Sequence, residues 1–72
     1  MNKNAPFIES LLARADATPG RSVHETAPSG QRVHVRAYRD GTVSVGVEFQ
    51  IISDSLPRVH AVRRLSAALT KA

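Results

Sequence analysis

Arg39-Asp40-Gly41 stands between two alternating runs of apolar residues, and only one loop length lets those runs agree. A two-residue Asp40-Gly41 turn pairs Tyr38 with Val43 and sets Val33, Val35 and Ala37 against Glu48, Gly46 and Ser44. The apolar faces then conflict. A three-residue loop, with Arg39 and Asp40 in a type I turn and Gly41 in the left-handed position of a bulge, sets Tyr38 opposite Thr42. Ala37 then meets Val43, Val35 meets Val45 and Val33 meets Val47, with Phe49 and Ile51 continuing the same side. Because strand side chains alternate with a period of two, this register makes one face ready to pack. The other face carries Arg32, His34, Arg36 and Tyr38 against Glu48, Gly46, Ser44 and Thr42.

The flanking segments read as helices and a short strand. Asn4 can cap a helix that starts near Ala5 or Pro6, carries Phe7, Ile8, Leu11, Leu12 and Ala15 as an apolar stripe, and stops near Asp16. Thr18-Pro19-Gly20 breaks it. Arg21 to Ala27 is a weak strand with Val23 as its one large apolar residue, and Pro28-Ser29-Gly30 turns the chain into a strand from Gln31 to Tyr38. A third strand runs from Thr42 to Ile52. Ser53-Asp54-Ser55 offers N-cap oxygens for a second helix with Pro57 in its first turn. Leu56, Val59, Val62, Leu65, Ala68 and Leu69 recur there at helical spacing, and Lys71 suits the negative end of the helix dipole. The expected fold is α+β: helix, strand, strand, strand, helix, with both helices on the apolar face of an antiparallel sheet, as a single domain over residues 1–72. Its expected core includes Val33, Val35, Val45, Val47, Phe49, Leu65 and Leu69.

Size and composition narrow the function. A chain of 72 residues buries only about 60 to 65% of its unfolded surface, and with no cysteine it has neither disulfides nor cysteine-rich zinc sites to add stability. Glu9 and Arg14 interrupt the first apolar segment, so neither a signal-peptide core nor a membrane span is expected, and a cytoplasmic location is the default. Residues 1–31 balance Lys3, Arg14 and Arg21 against Glu9, Asp16 and Glu25. From Arg32 onward, Arg32, Arg36, Arg39, Arg58, Arg63, Arg64 and Lys71 face only Asp40, Glu48 and Asp54, so the whole formal charge of +4 lies downstream. That asymmetry favours an anionic partner.

No pattern of catalysis accompanies it. The carboxylates are scattered over caps, turns and solvent faces, and no serine sits in a nucleophile elbow. His24, His34 and His60 lack metal-ligand spacing, and no glycine-rich phosphate loop is present. The expectation is a non-enzymatic protein without cofactor or metal. Arginine forks match phosphate oxygens and a tyrosine face can stack a base, while arginine and tyrosine also dominate protein-interface hot spots. Two contact patches follow: Arg32, Arg36, Tyr38 and Arg39 on the sheet and hairpin, and Arg58, His60, Arg63 and Arg64 on the second helix.

The inferred order, with its basic second helix, resembles the double-stranded-RNA-binding domain in topology over almost the whole chain. That family grips RNA with a lysine-rich motif at the start of its second helix, where this chain has Ser53-Asp54-Ser55-Leu56-Pro57-Arg58. None of the family's contact residues carries across. In size, charge balance and alanine- and arginine-rich character the chain also resembles small phage-encoded regulators that bind bacterial RNA polymerase. That resemblance implies a rigid, non-enzymatic surface acting by protein contact on a nucleic-acid-processing machine in the cytoplasm of a bacterial host, RNA polymerase first, with a CRISPR effector as a related target. Direct binding of RNA or DNA, and a homodimer joined through Ile52 and an edge strand, remain alternatives.

Overall fold

The structure, a computed structural model, describes residues 4–70; residues 1–3 and Lys71, with its expected role at the helix dipole, lie outside the described residues. The order is α1 (Asn4–Ala17), β1 (Ser22–Thr26), β2 (Arg32–Ala37), β3 (Thr42–Val47), β4 (Gln50–Pro57) and α2 (Arg58–Thr70). The four strands form one antiparallel sheet in chain order, β1-β2-β3-β4. Helix α1 packs on β1 and β2, α2 packs on β3 and β4, and the helices touch each other, so the α+β class holds with both helices on one face.

The three-residue loop sets the central register. Val33 lies opposite Val47, Val35 opposite Val45 and Ala37 opposite Val43. The Tyr38 amide donates to the Thr42 carbonyl at 2.9 Å, and Gly41 takes the left-handed conformation at φ 90°. The Asp40 carboxylate secures the turn by accepting from the Thr42 amide at 2.9 Å and from the Thr42 hydroxyl at 2.6 Å. The β1–β2 loop repeats the design. Ala27 donates to the Gln31 carbonyl at 2.8 Å, and Gly30, at φ 91°, occupies the position that Gly41 fills in the next hairpin.

Ile8, Leu11, Leu12 and Ala15 of α1, Val33, Val35 and Ala37 of β2, Val43, Val45 and Val47 of β3, and Ala61, Leu65 and Leu69 of α2 join with Ala27 in one buried core. Two carboxylates brace the helix layer. Glu25 accepts from Arg14 at 2.6 Å, tying β1 to α1, and Asp16 pairs with Arg58, tying the end of α1 to the start of α2.

The expected third strand is in fact two. Glu48 and Phe49 form a tight turn with φ of 52° and 68°, so β3 ends at Val47 and β4 folds back beside it. Both central residues of such a turn sit in the left-handed region, where asparagine and glycine are the usual occupants. The Glu48 amide donates to the Arg32 carbonyl at 2.8 Å, and its Oε1 accepts from the Arg32 amide at 3.2 Å, so the neighbouring strand supports the turn. Phe49 is therefore not core: it is 72% exposed. Ile51, expected on the inner side, lies opposite Gly46 and is 58% exposed.

Ser53-Asp54-Ser55 does not cap a helix either. These residues are in β4, which continues to Pro57 because two register shifts against β3, one between Val43 and Val45 and one between Val45 and Gly46, absorb its extra residues. Ser44 pins the bulged segment: its hydroxyl donates to Asp54 Oδ1 at 2.8 Å and accepts from the Ser55 amide at 3.1 Å, with Ser55 at φ 54°. Bulges of this kind bend a strand and strengthen its twist. The helix consequently starts at Arg58, Leu56 becomes a strand residue opposite Val43, and Val59, expected in the apolar stripe, is 55% exposed. The fourth strand also separates this order from the three-stranded topology implied by the double-stranded-RNA-binding resemblance.

Candidate binding surface on the open sheet face

With both helices on one side, the other face of the sheet is open to solvent. Alternation brings Arg32, His34 and Arg36 of β2 to this face, and antiparallel pairing sets Thr26 opposite Arg32, His24 opposite His34 and Ser22 opposite Arg36. On the other flank, Gly46 lies opposite both His34 and Ile51. Arg32 and Arg36 are exposed, as is Arg39 in the turn. Tyr38 is half-buried just past β2, with its Oη 3.3 Å from the Ser44 hydroxyl.

The centre of this face is built around a missing side chain. A Cβ on Gly46 would lie 2.0 Å from His34 Cε1 and 2.3 Å from His34 Nε2, so the imidazole occupies the space a larger residue at 46 would need. The His24 ring follows on the other side, its centroid 5.6 Å from that of His34 at an interplanar angle of 33°. Partial burial of His34, and then the positive potential of His24 and Arg36, push its pKa below the ordinary 6.5. Two exposed carboxyls elsewhere titrate low for simpler reasons: Glu25 through the Arg14 hydrogen bond, and Asp40 through the Thr42 hydroxyl.

At the far end of the sheet, the Arg32 guanidinium carbon lies 5.5 Å from the centroid of the Phe49 ring, within cation–π range. His24, Glu25, Thr26, Arg32, Val33, His34 and Phe49 line a groove of 410 Å³ there. A second groove of 410 Å³ runs between the helices, past Ile8, Leu12, Asp16, Arg58 and Val62.

The two expected patches are separate. Arg32, Arg36, Tyr38 and Arg39 share the sheet side, whereas Arg58, His60, Arg63 and Arg64 are exposed on α2 in the helix layer. Arg58 is further committed to Asp16. Phe49, Ile51, His24 and Thr26, which belong to neither expected patch, complete the sheet surface. His24 could have been found: with Val23 inward and a Pro28-Ser29-Gly30 loop, alternation places His24 across from His34. Nothing in Glu48-Phe49 announces a turn. Among the described residues, no three of His, Asp and Glu gather in a way that could hold a metal ion, and no helix is long and apolar enough to cross a membrane. Comparison with protein-family models, with curated proteins and with solved structures finds no match to this chain.

Proposed function

We propose that this chain is a non-enzymatic regulator that docks through the open face of its sheet onto an acidic surface of a large protein partner. The partner is a bacterial nucleic-acid-processing machine in the cytoplasm of the host, RNA polymerase first. The observation that carries the reading is the apolar pair at the end of a basic face: Phe49 is 72% and Ile51 58% exposed, with Arg32 against the Phe49 ring. Aromatic and arginine side chains of this kind are the usual anchors of interfaces, and a surrounding basic field steers association with an acidic partner. The choice of RNA polymerase rests on the resemblance in size and charge to phage-encoded regulators.

A tagged pull-down from bacterial lysate, with and without nuclease, tests it against two controls, Arg36→Glu/Arg39→Glu and Phe49→Ala. Polymerase subunits that stay bound after nuclease, and disappear with each control, are the expected result. Capture that survives both controls would remove the sheet face from consideration.

The second reading is direct binding of RNA or DNA, favoured by the Phe49 ring and the paired imidazoles beside Arg32, which resemble a stacking platform in a cationic groove. It predicts that nuclease clears the bait. It also predicts that affinity for a purified oligonucleotide falls steeply with salt as phosphate contacts release counterions.

A further inference from the structure

Thr26–Arg32 and His24–His34 are successive cross-strand pairs, so four hydrogen-bonding side chains form a two-by-two array at one end of the open face. Strand geometry spaces such positions about 5 Å across the sheet and about 7 Å along it. A phosphate accepts from donors that sit about 4 Å from its phosphorus, so donors spaced about 5–7 Å apart can converge on one such group. The array is also the wrong place for a cation: Arg32 and Arg36 flank the imidazoles. The nearby carboxylates are already engaged, Glu25 by Arg14 and Glu48 by the Arg32 amide.

The array opens into the 410 Å³ groove whose wall is the Phe49 ring. That volume falls within the range of small-molecule sites. The Arg32 guanidinium carbon lies 5.5 Å from the Phe49 ring centroid, and with five N–H donors a guanidinium in cation–π contact can still donate to an anion. A phosphate on Arg32 is then a short linker away from a ring on Phe49. We propose that this groove binds a nucleoside monophosphate, with the phosphate on Arg32, Thr26, His24 and His34 and the base against Phe49.

The site is pH-sensitive in a fixed direction. The charged and titratable groups around His34 are His24 on β1, Arg32 and Arg36 on its own strand, and Glu48 beyond β3; the β3 residue directly opposite, Gly46, carries no charge. Partial burial, and then its positive neighbours, lower the His34 pKa; a bound phosphate offsets those neighbours, so binding takes up protons and weakens as pH rises through the imidazole range. The site does not depend on the docking reading, and its test uses the purified chain alone, so failure here leaves the protein partner untouched.

The test is an NMR titration of the full chain with AMP, adenosine, inorganic phosphate and a 5′-hydroxyl trinucleotide, following the imidazole signals of His24 and His34 and the ring of Phe49. AMP should move all three residues, and phosphate the two imidazoles alone. Adenosine should bind at least about tenfold more weakly than AMP, as loss of charge-assisted hydrogen bonds requires. Arg32→Gln and His34→Gln should each weaken AMP by about tenfold, and His34→Gln should flatten the fall in affinity between pH 6.5 and 8.5. Imidazole signals unmoved by millimolar AMP would overturn the proposal, as would equal affinity for adenosine and AMP. Tighter binding of the trinucleotide than of AMP would also overturn it, in favour of a nucleic-acid backbone.

Discussion

Gly46 and His34 should behave as one unit. An alanine Cβ at position 46 would lie 2.0, 2.3 and 2.8 Å from three atoms of the His34 ring, all far inside contact distance. Gly46 is not among the glycines with positive φ, so its backbone suits alanine, and relieving the entropy cost of a strand glycine is worth about 0.5–1 kcal/mol. Against that gain, His34 must leave its seat. A strained rotamer costs about 0.5–1.5 kcal/mol, and re-exposing part of the ring adds about 1 kcal/mol. Gly46→Ala alone should therefore destabilise by about 1 kcal/mol. In a His34→Ala background the clash is gone, and the same change should stabilise by about 0.5–1 kcal/mol. The coupling is then about 2 kcal/mol, read by urea unfolding of the four variants, with midpoints also visible thermally at about 4–8 °C per kcal/mol for a chain of this size. A parallel NMR titration should show the His34 pKa rising towards 6.5 in Gly46→Ala as the ring regains solvent. If the two substitutions add within about 0.5 kcal/mol, the packing argument is wrong.

Replacing Glu48-Phe49 by Asn-Gly relieves two left-handed non-glycine residues and should stabilise the fold by about 1–2 kcal/mol in denaturant melts while abolishing capture of the protein partner; a destabilised variant would mean that the Glu48 carboxylate on the Arg32 amide, together with the Arg32–Phe49 contact, outweighs the strain. Ser53 Oγ is buried with no hydrogen-bond partner among the described residues, so Ser53→Ala should stabilise by about 1 kcal/mol, measured the same way. Because the folded pKa of His34 lies below 6.5, protonation favours the unfolded state: the penalty is absent above pH 6.5 and grows as pH falls towards the folded pKa, and His34→Gln should remove that slope from a series of melting curves. Glu25 and Asp40 act at lower pH, since their depressed pKa values stabilise the fold above 4.5 and 3.8 and that contribution is lost below; Arg14→Gln should reduce the Glu25 part to what the Thr26 backbone hydrogen bond supplies.

The central hairpin was readable because two independent signals coincide there: a turn tripeptide ending in glycine and apolar runs that agree in one register only. The β1–β2 hairpin was only half readable, since Pro28-Ser29-Gly30 marks a turn but Val23 is the one large apolar residue of its first strand, whereas in α1 a cap, a proline and a spaced stripe occur in the right order. The β3–β4 turn offered no such coincidence. Val43 to Ile51 alternates without a break, and Glu48-Phe49 has neither glycine nor asparagine; what turns the chain is the Glu48 contact with the Arg32 backbone, a residue 16 positions away. The same long-range cause hid the end of β4. Ser53-Asp54-Ser55 reads as a cap by composition, but Ser44 claims Asp54 and Ser55 from across the sheet. On the open sheet face, Arg32, His34 and Arg36 followed from alternation, and the exposed Phe49 and Ile51 were lost with the turn that exposes them.

The chain-order sheet has a consequence for how the molecule comes into being. Every strand neighbours the next one in sequence, joined by a short loop, so each pairing closes only a small loop of chain. Such local wiring favours fast folding, with each hairpin able to form as soon as its second strand exists. The main distant closure is the seating of α2 beside α1, locked by Arg58 on Asp16, 42 residues apart. Until that last helix arrives, the apolar side of β3 and β4 has no cover. Loss of the C-terminal helix should therefore leave a sheet that is paired but adhesive, and aggregation of a chain truncated after Pro57 is the expected outcome.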